Sequence, residues 1–87
     1  MKLMMTIIQD KDSDNVVEAL IQGGFSVTRM ASTGGFLRQG NVTLMVGVKQ
    51  DQIESAINLL RPHCSSNESN RHAATIFVMD MPEYLKI

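Results

Sequence analysis

The stretch FSVTRMASTGGFLRQGNVTLMVGVK, Phe25–Lys49, decides the fold, because it places two strands in succession with no helix between them. Phe25–Thr33 alternates apolar and polar residues and is rich in β-branched side chains, as a strand with one buried face requires. Asn41–Lys49 repeats the pattern: Val42, Leu44, Val46 and Val48 share one face, and Thr43, Met45 and Gly47 share the other. Upstream, DKDSDNVVEALIQGGF, Asp10–Phe25, reads as an amphipathic helix. Asp10, Asp12, Ser13 and Asp14 crowd its start, where acidic and hydroxyl side chains cap free amides and favour the helix dipole. Val16, Val17, Leu20 and Ile21 recur at helical spacing, and Gly23-Gly24 supply the stop. Downstream, Asp51 with Glu54 resembles a capping box. Behind it Ile53, Ala56, Ile57 and Leu60 form an apolar stripe that ends near Arg61-Pro62. Lys2–Gln9 and Ala74–Met81 read as the first and last strands; the polar loop Ser65–Ala73 precedes the last, and the tail PEYLKI follows it.

The order β-α-β-β-α-β implies a ferredoxin-like α+β fold: a four-stranded antiparallel sheet with both helices on one face. The helices then leave the other face bare. The last strand is apolar on both sides, with Ile76 and Val78 one way and Phe77 and Met79 the other. A bare apolar face marks association, so a homo-oligomer packed through its sheets is expected. The 87 residues show no linker, repeat or low-complexity run and read as a single domain over 1–87.

Composition excludes several classes. A formal net charge of −1 lacks the basic footprint of a nucleic-acid-polymer binder. The lone Cys64 cannot form an internal disulfide, in keeping with a reducing compartment. The N-terminus MKLMMTIIQD is too short an apolar run for a signal segment, and nothing approaches the ~18–20 apolar residues of a membrane span. A cytoplasmic protein without membrane contact is expected.

Between the two central strands, TGGFLRQGN, Thr33–Asn41, is longer than the ~2–5 residues a hairpin needs. Gly34-Gly35 allow close approach to backbone amides and an anion-binding nest. Phe36 offers a stacking face, Arg38 a phosphate partner, and the Asn41 amide a donor and acceptor for an adenine edge. A plainer reading stays open: the glycines permit a wide hairpin, Phe36 and Leu37 fold back on the core, and Arg38 is solvated.

LIQGGFSVTRMASTGGFLRQGNVTLMVGV, Leu20–Val48, resembles the central segment of the cyclic di-AMP receptor family, the PII-like signalling proteins. TGGFLR-x-GN is the most specific part, with IIQDKDS and ATIFVM agreeing near the two ends. The resemblance implies a homotrimer that binds one cyclic di-AMP in each cleft between subunits, acting as a ligand sensor and not an enzyme. Carried over by position, the ligand contacts fall on Thr28, Gly35, Phe36, Leu37, Asn41, Gly47 and Phe77; Arg38 joins them on its charge alone. Signalling would follow from the ligand selecting one arrangement of the Thr33–Asn41 loop, read by a downstream protein. The chain departs from the family in two places. Gly24-Phe25-Ser26-Val27-Thr28 stands where dinucleotide binders tend to carry Asn-Phe-Arg-x-Thr, and the loop before the last strand lacks a Gly/Pro-rich insertion. Another adenine nucleotide, ATP or ADP, or a ligand-free interaction module are the alternative functions.

No other constellation competes. His63, Cys64 and His72 match no zinc spacing, so no metal is expected. Asp10, Asp12 and Asp14 lack the glycine and distal glutamate of a calcium loop. Cys64 has no convergent base, no acid–base pair is visible, and no cofactor is implied.

Overall fold

Alternation carries the first strand, β1 (Lys2–Gln9), through the middle of the sheet: Met4, Thr6 and Ile8 are buried, while Leu3, Met5 and Ile7 are half-buried on the opposite face. The structure, a computed structural model, describes residues 1–30, 40–64 and 74–81. The chain continues through α1 (Asp10–Gln22), β2 (Ser26–Met30) and β3 (Asn41–Val48). A 3-10 turn (Gln50–Gln52) then leads into α2 (Ile53–Leu60), and a second turn (Arg61–His63) precedes β4 (Ala74–Asp80). The strands lie in the order β2-β3-β1-β4, and every pairing is antiparallel. That is the order the βαββαβ reading requires.

One buried cluster holds the two layers together. Val16 and Leu20 of α1 and Ala56 and Leu60 of α2 meet Met4 and Ile8 of β1 and Val42, Leu44, Val46 and Val48 of β3. Each fully buried Val, Leu, Ile or Met among them contributes ~1.5–3 kcal/mol relative to exposure. Both helices therefore cover the same face, as the alternation of β3 predicts.

The helix starts differ from the sequence reading. The N-cap of α1 is Gln9, with no side-chain cap; Asp10 and Asp12 lie in the first turn, and Ser13 Oγ donates to the Asp10 carbonyl at 2.9 Å. The helix springs directly from the end of β1, so the cap position falls before the acidic run. Asp10 and Asp12, in the first turn, favour the helix dipole there, and Asp14 accepts from Arg29 Nη2 of β2 at 2.8 Å. At α2 the box forms around Lys49 and Gln52 instead of Asp51 and Glu54. The Lys49 N–H donates to Gln52 Oε1 at 3.1 Å, and the Gln52 N–H donates to the Lys49 carbonyl at 2.8 Å. The 3-10 turn moves the start earlier than the apolar stripe indicates.

The end of α1 follows its glycines. Phe25 N–H donates to Leu20 C=O at 3.0 Å and Gly24 N–H to Ile21 C=O at 2.9 Å, with Gly24 at φ 91°. This pair of bonds is the Schellman arrangement, and it turns the chain into β2. No described helix is long and apolar enough to cross a membrane.

Candidate functional site

Strand register lays out the bare face as rows running across the sheet. Ser26, Gly47, Leu3 and Met79 make one row; Thr28, Met45, Met5 and Phe77 make the next; Met30, Thr43, Ile7 and Thr75 make a third. Between the first two rows, on the β2 side, lies a cavity of about 290 Å³ lined by Leu3, Ser26, Thr28, Met45, Gly47 and Met81. Two hydroxyls, from Ser26 and Thr28, form its polar wall, and Leu3, Met45 and Met81 form its apolar one. Gly47 opens the space between them: a Cβ there would find only Met81 Cε within 4 Å, at 4.0 Å. No lining side chain carries a charge. The cavity therefore suits a flat ring with hydrogen-bonding edges better than a phosphate.

The helix side holds a larger cavity of about 480 Å³, between Gly23, Phe25, Gln52, Ser55, Asn58 and Leu59. It contains none of the eight residues selected from the sequence as ligand contacts. Size alone does not choose between the two, and residue content favours the smaller.

The eight residues selected from the sequence separate clearly. Thr28 and Gly47 line one cavity. Phe77 shares the row of Thr28 but lies three strand spacings away, about 14 Å, and is 52% exposed. Asn41 is on the same face, four residues along β3 from Met45 and thus about 13 Å distant. Gly35, Phe36, Leu37 and Arg38 lie outside the described residues. Leu3, Met45 and Met81 are cavity walls that the sequence reading did not select. Alternation assigns a side chain to a face but does not say which residue of the next strand stands beside it, and Met81 follows its strand with no pattern to mark it.

Cys64 has the wrong environment for a nucleophile. Its thiol donates to the Leu60 carbonyl at 3.3 Å. Burial, helped by the negative charge of Asp12, pushes its pKa above the usual thiol value, whereas a reactive cysteine needs the opposite shift. Among the described residues, no three His, Cys, Asp or Glu side chains come together where they could hold a metal ion.

A family model described as cyclic-di-AMP receptor matches residues 1–73. The chain belongs to the cyclic-di-AMP receptor family. The receptor match takes in Thr28, the Thr33–Asn41 segment and Gly47, while Phe77 and Met81 lie beyond it. Among solved structures, the crystal structure of a functionally unknown protein from Pediococcus pentosaceus ATCC 25745 superposes on this receptor-family chain with a TM-score of 0.79. The two are 24% identical, and the match covers 99% of this chain and 96% of that one. At that identity the likeness establishes the fold alone.

Proposed function

We propose that the protein is a cytoplasmic second-messenger sensor, a PII-like homotrimer that binds cyclic di-AMP in clefts between subunits. One observation carries the reading: in a chain of the cyclic-di-AMP receptor family, Thr28 and Gly47 line the same uncharged cavity on the face the helices leave bare. At about 290 Å³ the cavity is at the small end for ligand sites. It has room for one base, and a dinucleotide needs a second wall. A neighbouring subunit packed on the same face supplies one, which accounts for Phe77 and Asn41 sitting too far from Thr28 to share a ligand within one chain. Gly35, Phe36, Leu37 and Arg38 complete the site in this proposal. Ligand binding then selects one arrangement of the Thr33–Asn41 segment, which a downstream protein reads. The same one-base cavity also fits ATP or ADP, which is the second reading.

Calorimetric titration with cyclic di-AMP, with cyclic di-GMP and ATP as controls, tests this. The expected result is micromolar or tighter binding at one ligand per subunit, lost in Phe36→Ala and in Gly47→Val. A Cβ at position 47 has only the flexible Met81 thioether within 4 Å, so Gly47→Val projects a β-branched side chain into the cavity. Preference for ATP selects the second reading. No heat with any nucleotide at millimolar concentration overturns the sensor and leaves an interaction module.

A further inference from the structure

We infer that Met81 is a ligand-contacting residue of this cavity, its thioether packing on the face of a ligand base lodged between Gly47 and Leu3; the inference rests on the sensor reading. Met81 lies outside the family match, which ends at residue 73, and no pattern in the sequence distinguishes it. Its backbone is pinned: the Met81 N–H donates to the Met1 carbonyl at 3.0 Å, continuing the β1–β4 pairing past Asp80. Its side chain is half-buried and lines the cavity together with Leu3 and Met45.

The geometry around Gly47 gives this side chain its task. Gly47 contributes no atoms beyond its backbone, and the terminal methyl of Met81 is the nearest neighbour of the vacant Cβ position. A fixed backbone with an unbranched, polarizable side chain is suited to fit itself against a flat ring after the ring has entered. Thioether contacts with aromatic rings are favourable. Ser26 and Thr28 stand on the β2 side of the cavity, so the ring's polar edge faces β2 and its apolar face meets the thioethers. The hydroxyls donate and accept with equal ease. The chemical class is therefore a heteroaromatic base, with the sugar and phosphates directed out of the cavity.

Wild type, Met81→Ala and Met81→Leu are titrated with cyclic di-AMP, and the wild type with ribose 5-phosphate as a base-free control. Methyl-labelled methionine spectra are recorded alongside, with the Met81 signal identified by its loss in the variants. Met81→Ala is expected to weaken binding about tenfold, as loss of a strong thioether–ring contact would. Met81→Leu should stay within about threefold of wild type, because it keeps most of the bulk. The Met81 methyl signal of the wild type should move on adding cyclic di-AMP and stay still with ribose 5-phosphate, while that of the fully buried Met4 holds its place. Binding by the wild type with a stationary Met81 signal and equal affinity in Met81→Ala overturns the inference and leaves the sensor standing. No binding by the wild type or either variant overturns both.

Discussion

Ser26 forms part of the cavity wall and is also the position where dinucleotide-binding relatives tend to carry arginine. It stands directly across from Gly47 in the register, with Thr28 next on the same face. A guanidinium here would reach from the uncharged wall toward ligand phosphates outside it, and a charge-assisted hydrogen bond contributes roughly 1.5–3 kcal/mol. Ser26→Arg should therefore tighten cyclic di-AMP binding by about 10- to 100-fold. The gain should shrink at high salt, and Ser26→Gln should not reproduce it; calorimetry at two ionic strengths decides, and unchanged affinity places the phosphates elsewhere. At residue scale the site was legible only in part. Thr28 and Gly47 were selected through the family resemblance, but the cavity they both line depends on pairing between strands that no single segment encodes. Burial of polar groups was less legible still. Thr6 is 0% exposed between Leu44 and Ile76, and its Oγ1 has no hydrogen-bond partner among the described residues. An unpaired buried hydroxyl costs about 1–3 kcal/mol. Thr6→Val replaces it with a methyl group of similar shape and should raise the urea midpoint, by about 1 kcal/mol of stability at unchanged m-value.

The elements themselves follow closely from the sequence where hydrophobic period and stop signals agree. β1 spans Lys2–Gln9 in both readings, and the stripe Val42, Leu44, Val46, Val48 is the buried face of β3. Starts of helices were misread because caps depend on where the preceding strand releases the chain: Gln9 and Lys49 take positions that acidic residues nearby were expected to fill. The end of α1 is the more instructive terminus. Gly24 sits at φ 91°, where an L side chain with a Cβ is strained and where glycine and asparagine are the residues most readily accommodated. Asparagine is the residue that dinucleotide-binding members tend to carry here. The exchange thus preserves the cap, and the absence of an amide at 24 says less about the ligand than the absence of a guanidinium at 26. Gly24→Ala should destabilise the fold by about 1–2 kcal/mol through left-handed backbone strain. Gly24→Asn should recover most of that loss, with ligand affinity unchanged in both. Thermal and urea unfolding measure the first pair of effects. If Asn instead tightened nucleotide binding, position 24 would belong to the site.

For the molecule as a whole, the decisive feature is an edge. Among the described residues β4 pairs with β1 alone and ends the sheet. Phe77, Val78 and Met79 follow one another along it at 52%, 42% and 41% exposure, so neither face of the strand is covered there. On the opposite edge strand Met30 is 40% exposed. Consecutive exposed apolar residues on a free edge invite pairing, and natural sheets blunt such edges with charge or cover them. The charges β4 offers are at its end, where Lys2 beside Asp80 forms an ion pair and holds that carboxyl below its usual pKa; the pair leaves the apolar stretch unprotected. In the proposed trimer further copies of the chain cover this surface, and Phe77 and Met79 share the bare face on which the cavity opens. Assembly and ligand binding should therefore fail together. Wild-type protein should elute in light-scattering chromatography at three times the 9.6 kDa of one chain. Met79→Lys, which places a charge on the bare face one row position from Leu3, should shift it to the monomer with its circular dichroism retained. That monomer should bind cyclic di-AMP at least about tenfold more weakly, since the second wall of the cleft has gone. A wild-type monomer would show that the apolar edge serves another partner, and a Met79→Lys trimer with full affinity would move the subunit interface off this end of β4.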